Sequence, residues 1–148
     1  MKEITSPTVS SAIKKLLSYA TLEEKVDEEY KKYVCLPSRK LYSMEVNEET
    51  VSCIGVEFLN SKEAVIKHIA VLPRERGRGI GSSMINFLCK KHDINSVFAE
   101  TDKEAVKFYF KFGFQTTSLG EKYLGIERFL CEFKIKMSQI KVANATKL

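Results

Sequence analysis

The sequence predicts a mixed α/β fold, a mostly antiparallel central sheet with one parallel strand pair and helices on both faces. Three observations carry that prediction. Residues 40–71 hold three short runs rich in β-branched and aromatic residues, split by the polar turns NEE and NSKE. Such a spacing reads as an antiparallel meander. The third run passes through PRERGRGIG straight into a helical pattern, and a further strand-like run, SVFAE, follows at 96–100. A strand-helix-strand unit of this kind demands a parallel pair joined by a right-handed crossover.

Taken in order, MKEI is a possible first strand. Ser6-Pro7 has the form of a helix start, with Ser6 as cap and Pro7 in the first turn. Val9, Ile13, Leu16 and Leu17 then fall on one face. Thr21-Leu22-Glu23-Glu24 has the form of a capping box, and Leu22, Val26, Tyr30 and Tyr33 continue an apolar stripe behind it. Pro37 closes this region, and KLYSMEV, TVSCIGVEFL and AVIKHIAV form the meander. From Ile80, residues Met84, Ile85 and Leu88 keep helical spacing. Thr101-Asp102-Lys103-Glu104 is a second capping box, opening a helix through AVKFYFKF that Gly113 ends. QTTSLGEKYLG links this helix to a last strand, RFLCEFKI, with a possible additional strand near Thr116.

A chain of 148 residues, 44% hydrophobic and 29% charged, fits one soluble domain able to bury a core. Its last residues, 135–148, read as a basic tail. No apolar run approaches the roughly 20 residues of a membrane span, and MKEITSPTVSS lacks the apolar centre of a signal peptide. Cys35, Cys53, Cys89 and Cys131 lie far apart without CxxC spacing, so reduced thiols and a cytoplasmic location are expected. His68 and His92 share no ligand spacing with a cysteine, and no metal is expected. The net charge of +5 is spread along the chain, and no nucleic-acid-binding pattern is present. Neither nucleic acid nor membrane is therefore expected as a partner, and a monomer or homodimer is.

Chemistry concentrates at 69–92. Glycines at 77, 79 and 81 allow a tight turn with exposed amides, and a helix beginning there adds its unpaired N–H groups and positive dipole end. That combination is an anion site, best suited to phosphate, with Arg76 and Arg78 able to reinforce it. It is not a Walker loop, because Gly81 is followed by Ser82-Ser83 without lysine. Nor is it the dinucleotide fingerprint, which would need glycine at 82.

The pattern Arg76-x-x-Gly79-x-Gly81 at a strand-to-helix junction resembles the cofactor signature of the GNAT superfamily of acetyl-CoA-dependent N-acyltransferases. A second signature of that family, A-x-x-φ-Y-x-x-x-G-F, is met in register by Ala105, Tyr109, Gly113 and Phe114. The resemblance covers about residues 40–134. It implies a GNAT-like sheet whose one parallel pair splays apart, and acetyl-CoA as co-substrate. By the same resemblance, main-chain amides of Arg76, Gly77, Arg78, Gly79, Ile80, Gly81 and Ser82 cradle the pyrophosphate. Ile69, Ala70 and Val71 flank the pantetheine arm, and the Val71 N–H binds the thioester oxygen. Tyr109 protonates the leaving thiolate. Asp102 stands where many relatives carry a pantetheine-bonding asparagine, and a carboxylate there accepts without donating.

The activity implied is N-acetyl transfer to a primary amine of a small molecule or protein by direct attack. The other reading is a non-catalytic module that binds acyl-CoA or a partner. Family bases align with Val65 and Lys67 on one strand and near Val97 on the next, none of them suited. Glu57, Glu100 or ordered water is left for that role. Strict alternation places Val65, Lys67, Ile69 and Val71 on one face and turns His68 to the other, against a helix.

Overall fold

In the computed structural model, which describes residues 1–135, seven strands form one sheet. The elements are β1 (Lys2–Glu3), α1 (Ser11–Ser18), α2 (Val26–Cys35), β2 (Arg39–Val46), β3 (Glu49–Phe58), β4 (Glu63–Val71), α3 (Ile80–Lys91), β5 (Ser96–Thr101), α4 (Val106–Phe112), β6 (Gln115–Tyr123) and β7 (Ile126–Lys134). Across the sheet the order is β1-β2-β3-β4-β5-β7-β6, antiparallel throughout except for β4 with β5. The expected basic tail lies, beyond Ile135, outside the described residues.

Three local expectations are corrected. The first helix begins at Ser11, not at Ser6-Pro7, and Ser10 caps it by accepting the Ile13 N–H at 3.2 Å. Ser10 wins because the apolar set Ile13, Leu16 and Leu17 follows it directly; the Ser6 carbonyl instead accepts the Tyr30 hydroxyl at 2.6 Å. The Thr21 capping box does not form. A short 3₁₀ turn, Glu23–Lys25, occupies its place without a side-chain cap, and Leu22 stays exposed. The buried stripe starts at Val26, with Asp27, Glu28 and Glu29 set against the positive end of α2. Of the second box only Asp102 acts, its Oδ1 accepting the Ala105 N–H at 2.9 Å while Thr101 ends β5. The strand expected near Thr116 is real: β6 pairs with β7 over most of its length.

One irregularity in β4 organises the molecule. Gly55 faces His68 and Val56 faces Ile66, which leaves Lys67 as an extra residue on β4. That bulge shifts the side-chain phase. Before it, Ala64 and Ile66 pack with Met84, Ile85 and Leu88 of α3. After it, Ala70 packs with Leu16, Leu17 and Val26 on the α1/α2 side, while Ile69 and Val71 turn to the α3 core. Val65 therefore does not share a face with Ile69 and Val71, as unbroken alternation would require. His68 does face a helix, as expected, and meets Tyr33 of α2.

The parallel ladder runs only from Glu63↔Ser96 to Ile66↔Ala99. Beyond it β4 stays on β3 through Val71, and Glu100 and Thr101 of β5 stay on β7. The two parallel strands thus part company at the end where α3 begins.

Candidate active site

The gap between β4 and β5 exposes backbone. Leu72 donates its N–H to the Val51 carbonyl at 2.8 Å. Successive residues of an antiparallel strand point their N–H and C=O groups to opposite sides. The polar groups of Ile69 and Val71 consequently aim away from β3, into the gap. Arg76 Nε donates to the Val71 carbonyl at 2.9 Å, and by the same alternation the Val71 N–H points into the gap.

A 3₁₀ turn, Pro73–Glu75, carries the chain from β4 to the glycines. Gly77 and Gly79 sit at φ 80° and 79°, a region that a Cβ penalises. Gly81 has a different reason. A Cβ there would come within 2.9 Å of Phe108, so its absence lets α3 begin against α4. The first intrahelical bond of α3 is from the Ser83 N–H to the Gly79 carbonyl at 3.0 Å. Amides of Ile80, Gly81 and Ser82 precede it, and no side chain caps this end. No acidic residue lies in the first turn, so the positive dipole end faces the cleft uncompensated.

A cleft of about 650 Å³ joins these parts. Ile69, Ala70 and Val71 form one wall, the loop from Arg76 to Ser82 the floor, and Ala105, Phe108 and Tyr109 the other wall, with Asp102 at the rim. Among the predicted residues only Arg78 does not line it; its side chain is 68% exposed and lies 3.4 Å from Glu75. Arg74 is bound to Glu49 and lies near Glu75. Among the described residues Arg76 has no carboxylate partner. Asp102 braces the turn that leads into α4 as well as lining the cleft.

Tyr109 is 4% exposed, with edge-on contacts to Phe108 and Phe114 at ring separations of 5.2 and 5.1 Å. Burial, and secondarily the Cys131 thiol, push its phenol above the ordinary tyrosine value. The hydroxyl is therefore protonated throughout the neutral range, and it has no hydrogen-bond acceptor among the described residues.

The carboxylates considered as bases lie elsewhere. Glu57 is bound by Arg39, at 2.9 Å from Nη2 and 3.0 Å from Nε, and Arg39 reaches Glu29 of α2 at 3.3 Å. Glu100 sits 3.5 Å from Arg128 Nε. Neither lines the cleft. His68 is buried with Nδ1 2.5 Å from the Tyr33 hydroxyl. Burial lowers its pKa to about 4 against the opposing charge of Glu29, so the neutral ring accepts from the tyrosine. Cleft residues outside the predicted set include Glu75, Glu104, Lys111 and Phe112, and also Tyr19, just past α1, whose ring lies 5.4 Å from the Arg76 guanidinium carbon. An exposed aromatic in a connection has no periodic signature, and only its tertiary neighbour marks it.

Cys35 is exposed and Cys53, Cys89 and Cys131 are buried, all four as free thiols. Among the described residues no helix is long and apolar enough to cross a membrane, and no group of three His, Cys, Asp or Glu residues is placed to hold a metal.

Comparison with known proteins agrees with this architecture. An uncharacterized N-acetyltransferase in the lysA 3′ region of Bacillus methanolicus is 36% identical over 76 residues, 49% of this chain and 63% of that relative. The chain thus spans less than two thirds of that protein's length. A GNAT family acetyltransferase from Elizabethkingia anophelis, solved with acetyl-CoA bound, superposes with a TM-score of 0.68 at 20% identity, covering 90% of this chain and 95% of that one. The aminoglycoside 6′-N-acetyltransferase from Enterococcus faecium gives 0.70 at 15% identity, over 88% and 93%. At these identities the two structures speak to the fold alone. The model of the acetyltransferase (GNAT) domain matches residues 37–116, from the meander through the glycine loop, β5 and α4. A match across more than half the sequence, around the parted strands and the uncapped start of α3, makes the chain a member of the GNAT acetyltransferase family.

Proposed function

We propose that this protein transfers the acetyl group of acetyl-CoA to a primary amine by direct attack. The single observation behind this reading is the gap between β4 and β5, with open amides along one side and an uncapped helix start at its end. The residues present fit the co-substrate. A diphosphate suits the amides of the Arg76–Ser82 loop, the dipole end of α3 and the free charge of Arg76. An arm carrying amides suits the polar edge of Ile69–Val71, which can bond it as a neighbouring strand would.

In the reaction, an amine lone pair adds to the thioester carbonyl carbon, and the new negative charge on oxygen is held by a β4 amide facing the gap. The C–S bond then breaks, and Tyr109 gives its proton to the departing sulfur. The phenolate is reprotonated by the proton released from nitrogen. With Glu57 and Glu100 engaged by arginines away from the cleft, ordered water serves as the base.

Calorimetric titration with acetyl-CoA tests the binding half. Gly79→Asp carries the strain of a side chain at φ 79° but meets no atom within 4 Å, and it sets a negative charge against the diphosphate. Binding should vanish while the circular dichroism spectrum is retained; undiminished affinity would remove the basis of the proposal. Thiol release followed across a panel of amines tests turnover. Tight binding with no release above hydrolysis would instead identify a non-catalytic acyl-CoA-binding module.

A further inference from the structure

The three arginines around the glycine loop are not equivalent. Arg74 and Arg78 each face a carboxylate, through Glu49 and Glu75. Arg76 has no carboxylate partner among the described residues, so its charge is the one left for an incoming anion. Two contacts hold it: Nε donates to the Val71 carbonyl at 2.9 Å, and the guanidinium lies over the Tyr19 ring at 5.4 Å. A free arginine side chain samples many rotamers, whereas a bonded Nε and a guanidinium resting over a ring leave its two Nη groups pre-oriented. Tyr19 is 44% exposed and outside both cores. Its burial therefore does little for the fold, and its place in the cleft needs another account.

We infer that Tyr19 is a positioning residue for the anion site. By stacking on Arg76 it fixes the guanidinium so that both Nη groups meet the diphosphate of the co-substrate in a forked pair of bonds. This role rests on the acetyl-CoA reading above. It makes the α1–α2 connection a fourth contributor to the site, beside β4, the glycine loop at the start of α3, and α4, although Tyr19 acts through the arginine and not on the reacting atoms.

A double-mutant cycle on coenzyme A affinity, measured by calorimetry, tests it. Tyr19→Leu should weaken binding about two- to fivefold, the scale of a partly exposed cation–π contact. Tyr19→Phe, which keeps the ring face, should restore wild-type affinity. Arg76→Ala should weaken binding further, and the double variant should be no weaker than Arg76→Ala alone. Undiminished affinity in Tyr19→Leu would overturn the role. So would a Tyr19→Leu loss that persists in full without Arg76, which would mean direct ligand contact or a general structural effect. Thermal midpoints should agree across the Tyr19 variants. If wild-type protein fails to bind coenzyme A, the functional reading falls and takes this role with it. Wild-type binding without coupling overturns the Tyr19 role alone.

Discussion

The α2 side of the sheet and the cleft beside α3 and α4 treat polar groups in opposite ways. On the α1/α2 face, buried polarity is closed. Tyr33 meets His68, and Arg39 joins Glu29 to Glu57. On the α3/α4 side Tyr42 meets His92, but at the cleft, among the described residues, polarity is left open at the first amides of α3, the Arg76 Nη groups and the Tyr109 hydroxyl. Unmade bonds in a sheltered place cost stability, while made ones return about as much as they displace from water. The closed face therefore reads as structure and the open face as a place where a ligand completes the set.

Breaking the open face should give the largest effect. Tyr109→Phe keeps the ring among Phe108 and Phe114 and removes only the donor. Steady-state kinetics with an accepted amine should show turnover falling by about 10²-fold or more, within the usual range for general acid catalysis, with acetyl-CoA affinity kept. Because burial raises the phenol, the wild-type pH–rate profile should also lack a decline near pH 10. A folded variant with full turnover would move the proton donation to solvent.

The closed face should fail through stability instead. A Cβ on Gly55 would overlap the Tyr33 ring and hydroxyl. Gly55→Ala must then displace Tyr33 and strip His68 of its partner, which together should cost about 2–5 kcal/mol. Urea unfolding measures this; a loss below about 1 kcal/mol would show that α2 yields easily.

The smallest effect sharpens the same contrast by pH. His68 has its pKa lowered by burial from 6.5 to about 4. Between these values the unfolded chain binds a proton that the native protein refuses. Its contribution is thus fully present above pH 6.5 and is lost as pH falls toward 4, by on the order of 3 kcal/mol across that window. His68→Asn should flatten the slope of unfolding free energy against pH by about one proton there. An unchanged slope would mean that the ring takes up its proton in the native state.

Much of this contrast is legible in residues. The β2–β3–β4 meander, the parallel crossover and the glycine loop are all carried by local patterns: alternation, turn residues and helix spacing. β6 was weakly legible because QTTSLGEKY is an edge strand. With a neighbour on one side only, it needs fewer apolar residues than a central strand does. The start of α1 is ambiguous in the sequence because two capping signals compete, Ser6 and Ser10, and the apolar stripe behind the cap decides between them. The bulge at Lys67 was invisible to periodicity. A single extra residue changes the phase of β4 without changing its composition, and only pairing with β3 exposes it. Tyr19 and the arginine partners of Glu57 and Glu100 depend on side chains distant in sequence, which no local rule reaches.

An open sheet edge is ordinarily a hazard, because a foreign chain can add to it and begin aggregation. Here the exposed edge lies inside the sheet. From Lys67 to Val71 it runs five residues, about 17 Å at the usual strand rise, between β5 and the start of α3. A polypeptide strand brings side chains on both faces and continues past both ends, and the closed ladder at Ile66–Ala99 blocks that continuation. A thin, unbranched arm with amides of its own and a charged terminus can enter and stop. The same parting of strands that makes the molecule sticky toward one slender guest thus shields it from its own kind.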